Sequence, residues 1–291
     1  MHYIKLMRPH HYIKNALIFL PLIFSGQVFN MDLLLATVVA CIGFCLLSSV
    51  VYIVNDVKDV ENDRQHSTKK NRPIASGKVS VNSAIVLAAV LFVVSVALML
   101  IIGISVWGWV IFTAYFLLNM GYSVFGLKNI VLVDIAILVS GFLLRVMFGA
   151  VVSGIVISNW LYLTVIAASF YLALGKRRNE ITSEDNKEKN TRKVLKNYTH
   201  EFLDKNMYVC LAEVIVFYSL WSTDKATMLN HANSEGAIWT VPLVILIMMR
   251  YSMNVEGDSD GDPTSVLLRD KLLIGMGLLY AAIMFFVVYG G

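Results

Sequence analysis

The residues in this chain best suited to chemistry lie between Asn55 and Arg72: Asn55, Asp56, Asp59 and Asp63, followed by His66, Lys69, Lys70 and Arg72. Asp56, Asp59 and Asp63 are spaced i, i+3, i+7, which on a helix sets three carboxylates along one face. Like charges aligned in this way repel, so the face costs stability unless something positive sits on it. Hard carboxylate oxygens suit Mg²⁺, which binds through one or two carboxylates and completes its shell with substrate phosphates. Lys69, Lys70 and Arg72 follow within reach of a phosphate held there. The pattern predicts a Mg²⁺-diphosphate site. Its plainer alternative is a solvated charged loop between two apolar segments. Asn55, the three aligned acids and the basic tail together favour the site.

The elements that must position these residues are membrane helices. The 291 residues are 57% hydrophobic and 15% charged, where soluble domains carry about 25% charged residues. Apolar stretches long enough to cross a bilayer fall near 14–30, 33–54, 82–103, 106–124, 130–152, 159–175, 207–223, 238–254 and 272–290. The expectation is an all-α polytopic bundle of about nine transmembrane helices. It forms a single membrane domain over 1–291, with an Asp-rich loop at 55–80, a basic loop at 176–206 and an acidic loop at 255–271. The start of the chain lacks a cleavable leader pattern, so the first apolar run reads as a retained span. With the N-terminus in the cytoplasm, all of the 24 Lys and Arg except Lys225 and Arg145 fall on the inner side or at its helix ends, as the positive-inside rule requires. This predicts a multi-pass protein of the cell inner membrane, with its polar groups on the cytoplasmic face and its C-terminus outside. The net charge of +4 is confined to loops and argues against nucleic acid as a partner. Cys41, Cys45 and Cys210 lack metal-ligand spacing and read as small buried hydrophobes.

Other polar clusters are expected on the same face. Arg8, Lys14 and Asn15 flank Pro9 and Tyr12 near the first span; they either anchor the helix at the headgroups or hold a phosphate. Tyr122 and Lys128, between the fourth and fifth spans, are candidate phosphate ligands. Lys176, Arg177 and Arg178 end the sixth span. They either satisfy the helix dipole or form a basic wall able to grip a substrate phosphate. Arg145 lies inside the fifth span, where a charge is costly. It must snorkel or find an acid or a phosphate, and Asp134, about 16 Å away along a helix, is too far for a direct pair. The run Asp258 to Asp262 resembles a calcium loop, but Pro263 and Arg269 stand where the turn Gly and the bidentate Glu belong, so it reads as a flexible acidic lid. Gly141 and Gly149 permit close helix packing, and a homo-oligomer stays open.

On these residues the chain resembles the UbiA superfamily of intramembrane prenyltransferases. Asn55, Asp56, Asp59 and Asp63 match its first Asp-rich motif. Within the superfamily it is most similar to the decaprenyl-phosphate phosphoribosyltransferase branch. That likeness is carried by Arg8-Pro9 with Lys14-Asn15, by Asn55 through Arg72-Pro73-Ile74 with His66 and Lys69, by Gly175-Lys176-Arg177-Arg178, and by Gly261-Asp262-Pro263 with Asp270. Members that prenylate aromatic rings carry a second Asp-rich motif after the sixth span, where this chain has Lys176-Arg177-Arg178. The resemblance implies Mg²⁺-dependent transfer of 5-phosphoribose from phosphoribosyl diphosphate to a polyprenyl phosphate within a membrane, making a cell wall precursor. Asp56, Asp59 and Asp63 would hold the metal, and Asn55, His66, Lys69, Arg72, Tyr122, Lys128, Lys176, Arg177, Arg178 and Asp262 would contact substrate. An aromatic-acceptor prenyltransferase and a non-enzymatic lipid-binding or transport protein are the alternatives.

Overall fold

Capping side chains and glycines set the helix boundaries. The computed structural model describes residues 2–65, 68–182, 193–224, 234–257 and 263–290. His66, Asp262 and the rest of the calcium-like run, with 183–192 of the basic loop, lie outside them. In chain order the helices are α1 (His2–Met7), a 3₁₀ segment (Pro9–Phe19), α2 (Leu20–Phe24), α3 (Met31–Lys58), α4 (Val60–Gln65), α5 (Val81–Ile101), α6 (Val106–Val124), α7 (Val133–Ser153), α8 (Asn159–Thr182), α9 (His200–Thr223), α10 (Val241–Glu256), α11 (Pro263–Arg269) and α12 (Lys271–Tyr289). Asn30, Ser80, Ser105, Thr199 and Asp270 each accept a backbone amide of the first turn of α3, α5, α6, α9 and α12, satisfying donors that have no partner within the helix. Beyond the end of α7, Gly154 takes a left-handed conformation at φ 67°, the usual helix stop.

Five helical stretches among the described residues are long and apolar enough to cross a membrane: Met31–Lys58, Val81–Ile101, Val133–Ser153, Gly236–Glu256 and Lys271–Tyr289. The expected stretches 106–124, 159–175 and 207–223 are helical as well, within α6, α8 and α9. The expected single helix over 14–30 is not formed; the chain winds as the 3₁₀ segment to Phe19 and as α2 only to Phe24. Pro21 lacks the amide that would carry an i→i−4 ladder through this point.

The chain divides into two compact units. The first holds α1, the 3₁₀ segment and α3 to α7, with α3 at its centre, packed against α5, α6, α7 and the 3₁₀ segment. Phe44 of α3 meets Tyr115, Phe148 and Phe112 with ring centroids at 4.5, 5.2 and 6.3 Å. Ser95 of α5 donates to the Gly43 carbonyl of α3 at 2.6 Å. Gly149 of α7 lies directly against the backbone carbonyl of Ile18 in the 3₁₀ segment, at a distance that excludes any Cβ. The close packing expected of Gly149 is therefore used inside the chain. In the second unit α8 and α9 pack along their lengths, and α10 packs on α9 and α12. Trp221 of α9 is buried edge-on to Phe24 at 5.2 Å.

Candidate active site

The three acids do not share one helix. The path bends at Asp59, which caps α3 with φ −94° and ψ 9°, and α4 begins at Val60. The i→i−4 bonds still run through the bend, from Asp59 N to Asn55 O at 2.9 Å and from Asp63 N to Asp59 O at 2.8 Å. The rotation at Asp59 separates the carboxylates into two groups. Asp56 and Asp63, both buried, are bridged by Arg72, whose Nη1 donates to Asp56 Oδ1 at 3.1 Å and to Asp63 Oδ2 at 2.6 Å. Arg8 Nη2 adds a second contact to Asp56 Oδ1 at 2.5 Å. Asp59 instead accepts Lys128 Nζ on both oxygens, at 2.7 and 2.8 Å. The positive charge that such an acidic cluster demands is thus supplied by three basic side chains of the same unit.

Local backbone chemistry places each of these cations. Arg8 precedes Pro9 and adopts a left-handed conformation at φ 55°, ψ 58°, rare for a residue with a Cβ and outside the extended range that a following proline favours. Its guanidinium lies 5.2 Å from the Tyr52 ring. Burial lowers the Arg8 pKa from its usual value while Asp56 works in the other direction, so the pair is held in a poorly solvated setting. Arg72 precedes Pro73 and is extended at φ −63°, ψ 148°, as that context favours. Pro73 and the buried Ile74 and Val79 then anchor the loop, with Val79 N donating to Pro73 O at 3.0 Å. Lys128 sits in a 3₁₀ turn opened by Gly126 at φ 75°.

Among the described residues, no three acidic, histidine or cysteine side chains converge into a metal-binding group, so the three aspartates do not form a ready cage. Asp56 and Asp63 nevertheless both place an oxygen on one nitrogen of Arg72, so two carboxylates converge on one positive charge. Two carboxylates completed by phosphate oxygens fit Mg²⁺.

The other predicted residues are distributed as follows. Asn55 contributes its backbone carbonyl at the bend. Lys69 opens the 3₁₀ turn leading to Arg72, Lys14 is half-buried on the first 3₁₀ segment, and Tyr122 lies in the last turn of α6. Asn15, expected at headgroup level, is buried at 1% exposure. It donates to Cys45 Sγ at 3.1 Å and to Ser48 Oγ at 3.5 Å, and its Oδ1 accepts Arg145 Nε at 2.6 Å. Arg145 completes its set with the Gly141 carbonyl at 2.5 Å and the Tyr115 hydroxyl at 2.9 Å, 4.9 Å from the Tyr115 ring centroid and 5.6 Å from that of Phe44. Among the described residues its partners are all neutral; it neither snorkels nor meets an acid. Ser48 and Tyr115 belong to this network, and sequence reasoning missed them. Their only signal is that they are polar groups inside apolar runs.

In the second unit α8 continues to Thr182, so Lys176, Arg177 and Arg178 stand within the helix rather than at its end. Arg177 is fully buried and pairs with Glu180 at 2.5 Å, while Arg178 Nε reaches Asp204 of α9 at 2.6 Å.

Comparison with known proteins bears on both units. The model of the UbiA prenyltransferase family matches residues 16–272. The decaprenyl-phosphate phosphoribosyltransferase of Corynebacterium glutamicum is 34% identical over 288 residues, covering 98% of this chain and 86% of that protein. The enzyme of the same name from Mycolicibacterium smegmatis is 34% identical over 93% of this chain and 87% of its own. Among solved structures, a UbiA homolog from Archaeoglobus fulgidus bound to DMAPP and Mg²⁺ superposes with a TM-score of 0.71, at 17% identity and 99% coverage of both chains, which shows a common fold. A family match over most of the chain, together with full-length relatives above 30% identity, makes this chain a member of the UbiA prenyltransferase family.

Proposed function

We propose that this protein transfers 5-phosphoribose from phosphoribosyl diphosphate to a polyprenyl phosphate of the decaprenyl type, releasing diphosphate. The C1–O bond to diphosphate breaks and a C1–O bond to the lipid phosphate forms. The observation that carries the reading is the bridging of Asp56 and Asp63 by Arg72, with Arg8 beside them. That arrangement brings hard anionic ligands and phosphate-binding guanidiniums to one place. The near full-length similarity to two phosphoribosyltransferases supports the choice of donor. By the resemblance, the basic run Lys176 to Arg178 stands where ring-prenylating members carry acids, which disfavours a prenyl diphosphate as the donor.

Asp56 and Asp63 would hold Mg²⁺, with Asp59 close along the chain. The metal would supply charge stabilisation to the departing diphosphate. Arg8, Arg72, Lys128 and Lys69 bind phosphate oxygens, and Asn55 holds the bend that orients the acids. Stabilising charge as it develops on the leaving group is the main contribution these residues make to rate. The lipid phosphate is already anionic at neutral pH, so no general base is required. The protein works in the inner membrane with its N-terminus and its acidic residues on the cytoplasmic side, where the soluble donor is available. Purified protein given labelled phosphoribosyl diphosphate and polyprenyl phosphate forms labelled lipid and free diphosphate. Turnover of a prenyl diphosphate with a hydroxybenzoate, and none of the first pair, overturns the reading.

A further inference from the structure

A cavity of about 510 Å³ opens in the second unit, between the end of α10 and the start of α12. At its base Asp270 accepts the amides of Leu272 and Leu273 at 2.9 and 3.1 Å, and takes Arg250 Nε and Asn254 Nδ2 at 2.6 Å each. Asp270 is therefore saturated, and Arg250 is both neutralised and fixed. Arg269 and Lys271 flank Asp270 and line the same cavity. Both are exposed, and neither has a hydrogen-bond or ion-pair partner among the described residues. Among the described residues, these two positive charges have no counter-ion. One of them, Lys271, is the first residue of α12, the helix end at which a cation is disfavoured and an anion welcome.

The remaining wall is mixed, with Asn254 and Ser265 beside the apolar Met253, Val266 and Leu272. Met253 and Leu272 line the cavity while 65% and 57% exposed, and Leu267 and Leu268 of α11 are exposed beside it. The cavity lies where α10 ends and α12 begins, and both belong to stretches long and apolar enough to cross a membrane, so it sits at the end of two candidate spans. A pocket with two exposed cations and an apolar flank of Met253, Val266 and Leu272 suits an amphiphile with an anionic head. If these basic residues served only to set orientation, neither a cavity nor the locking of Arg250 and Asn254 onto Asp270 would be needed.

We propose that this pocket binds the phosphate of a membrane lipid, with Arg269 and Lys271 as phosphate ligands and Met253 and Leu272 against the first methylenes of the chain. The proposal rests on the chain being a membrane protein and not on the transferase reading. It is tested by native mass spectrometry on delipidated full-length protein, titrated in the absence of donor with polyprenyl monophosphate, phosphatidylglycerol or inorganic phosphate. The double variant R269Q/K271Q is expected to bind lipid phosphate about thirtyfold more weakly, and the charge-conserving R269K/K271R to bind as the parent does. Weakening for polyprenyl phosphate alone identifies the source as the acceptor; weakening for both lipids identifies anionic lipid in general. Equal affinity of parent and R269Q/K271Q for both lipids, weakening for inorganic phosphate only, or equal loss in R269K/K271R overturns the proposal. A protein that binds lipid here yet transfers nothing refutes the proposed reaction and leaves this pocket standing.

Discussion

Asp59 separates from the other two acids at the bend, and both of its oxygens accept the Lys128 ammonium. Replacing Asp59 with Ala takes away the carboxylate that fixes Lys128 beside the proposed diphosphate site while sparing the Asp56–Arg72–Asp63 bridge. Initial rates at saturating Mg²⁺ should fall by about 10²–10³, as for other preorganised charge stabilisers; turnover near that of the parent removes Asp59 from the site. Asp270 offers a pH test. The Asn254 amide, then Arg250, hold its carboxyl below the usual range, so its contribution to stability is complete above the unfolded pKa of about 3.9 and is lost as pH falls below it. The thermal midpoint of the parent should drop on acidification past about pH 4, and Asp270→Asn should flatten that drop. The acids were legible in the sequence because carboxylate type and spacing alone announce them. Their counter-ions were not, since Arg8 and Lys128 lie 48 and 69 positions from their partners and only the fold brings them together.

Among the elements, the 3₁₀ segment depends most on its neighbours. Eleven residues of 3₁₀ helix is a long run for that geometry, and non-α backbone at membrane depth is tolerated only where protein covers it. Here Gly149 admits the Ile18 carbonyl and Arg145 holds Asn15. A methyl at Gly149 meets backbone rather than a flexible side chain, so Gly149→Ala should destabilise by about 1–3 kcal/mol, read as a lowered midpoint in detergent. An unchanged midpoint shows that the 3₁₀ segment can move away at little cost. Helix positions were legible because the apolar run lengths largely coincide with them; the caps Ser80, Ser105 and Asp270 became visible only in the structure. The bend at Asp59 was not, because the 3-4-residue spacing of the acids continues across it.

At the scale of the molecule, the charge distribution makes a statement about orientation. Ser80 and Ser105 cap α5 and α6 and lie at opposite ends of α5. In intact cells a membrane-impermeant maleimide should label Ser105→Cys above the parent background and leave Ser80→Cys unlabelled until the membrane is broken. The reverse pattern inverts the proposed topology. The division into two units was not visible in the sequence, where apolar stretches follow one another with no linker-like composition between them. The salt-bridged acids have one more consequence. A site whose anions arrive already balanced by Arg8, Arg72 and Lys128 does not rely on magnesium to stay folded. Dialysis against a chelator should abolish turnover yet leave the melting curve where it was, and restoring the ion should revive activity without any refolding step.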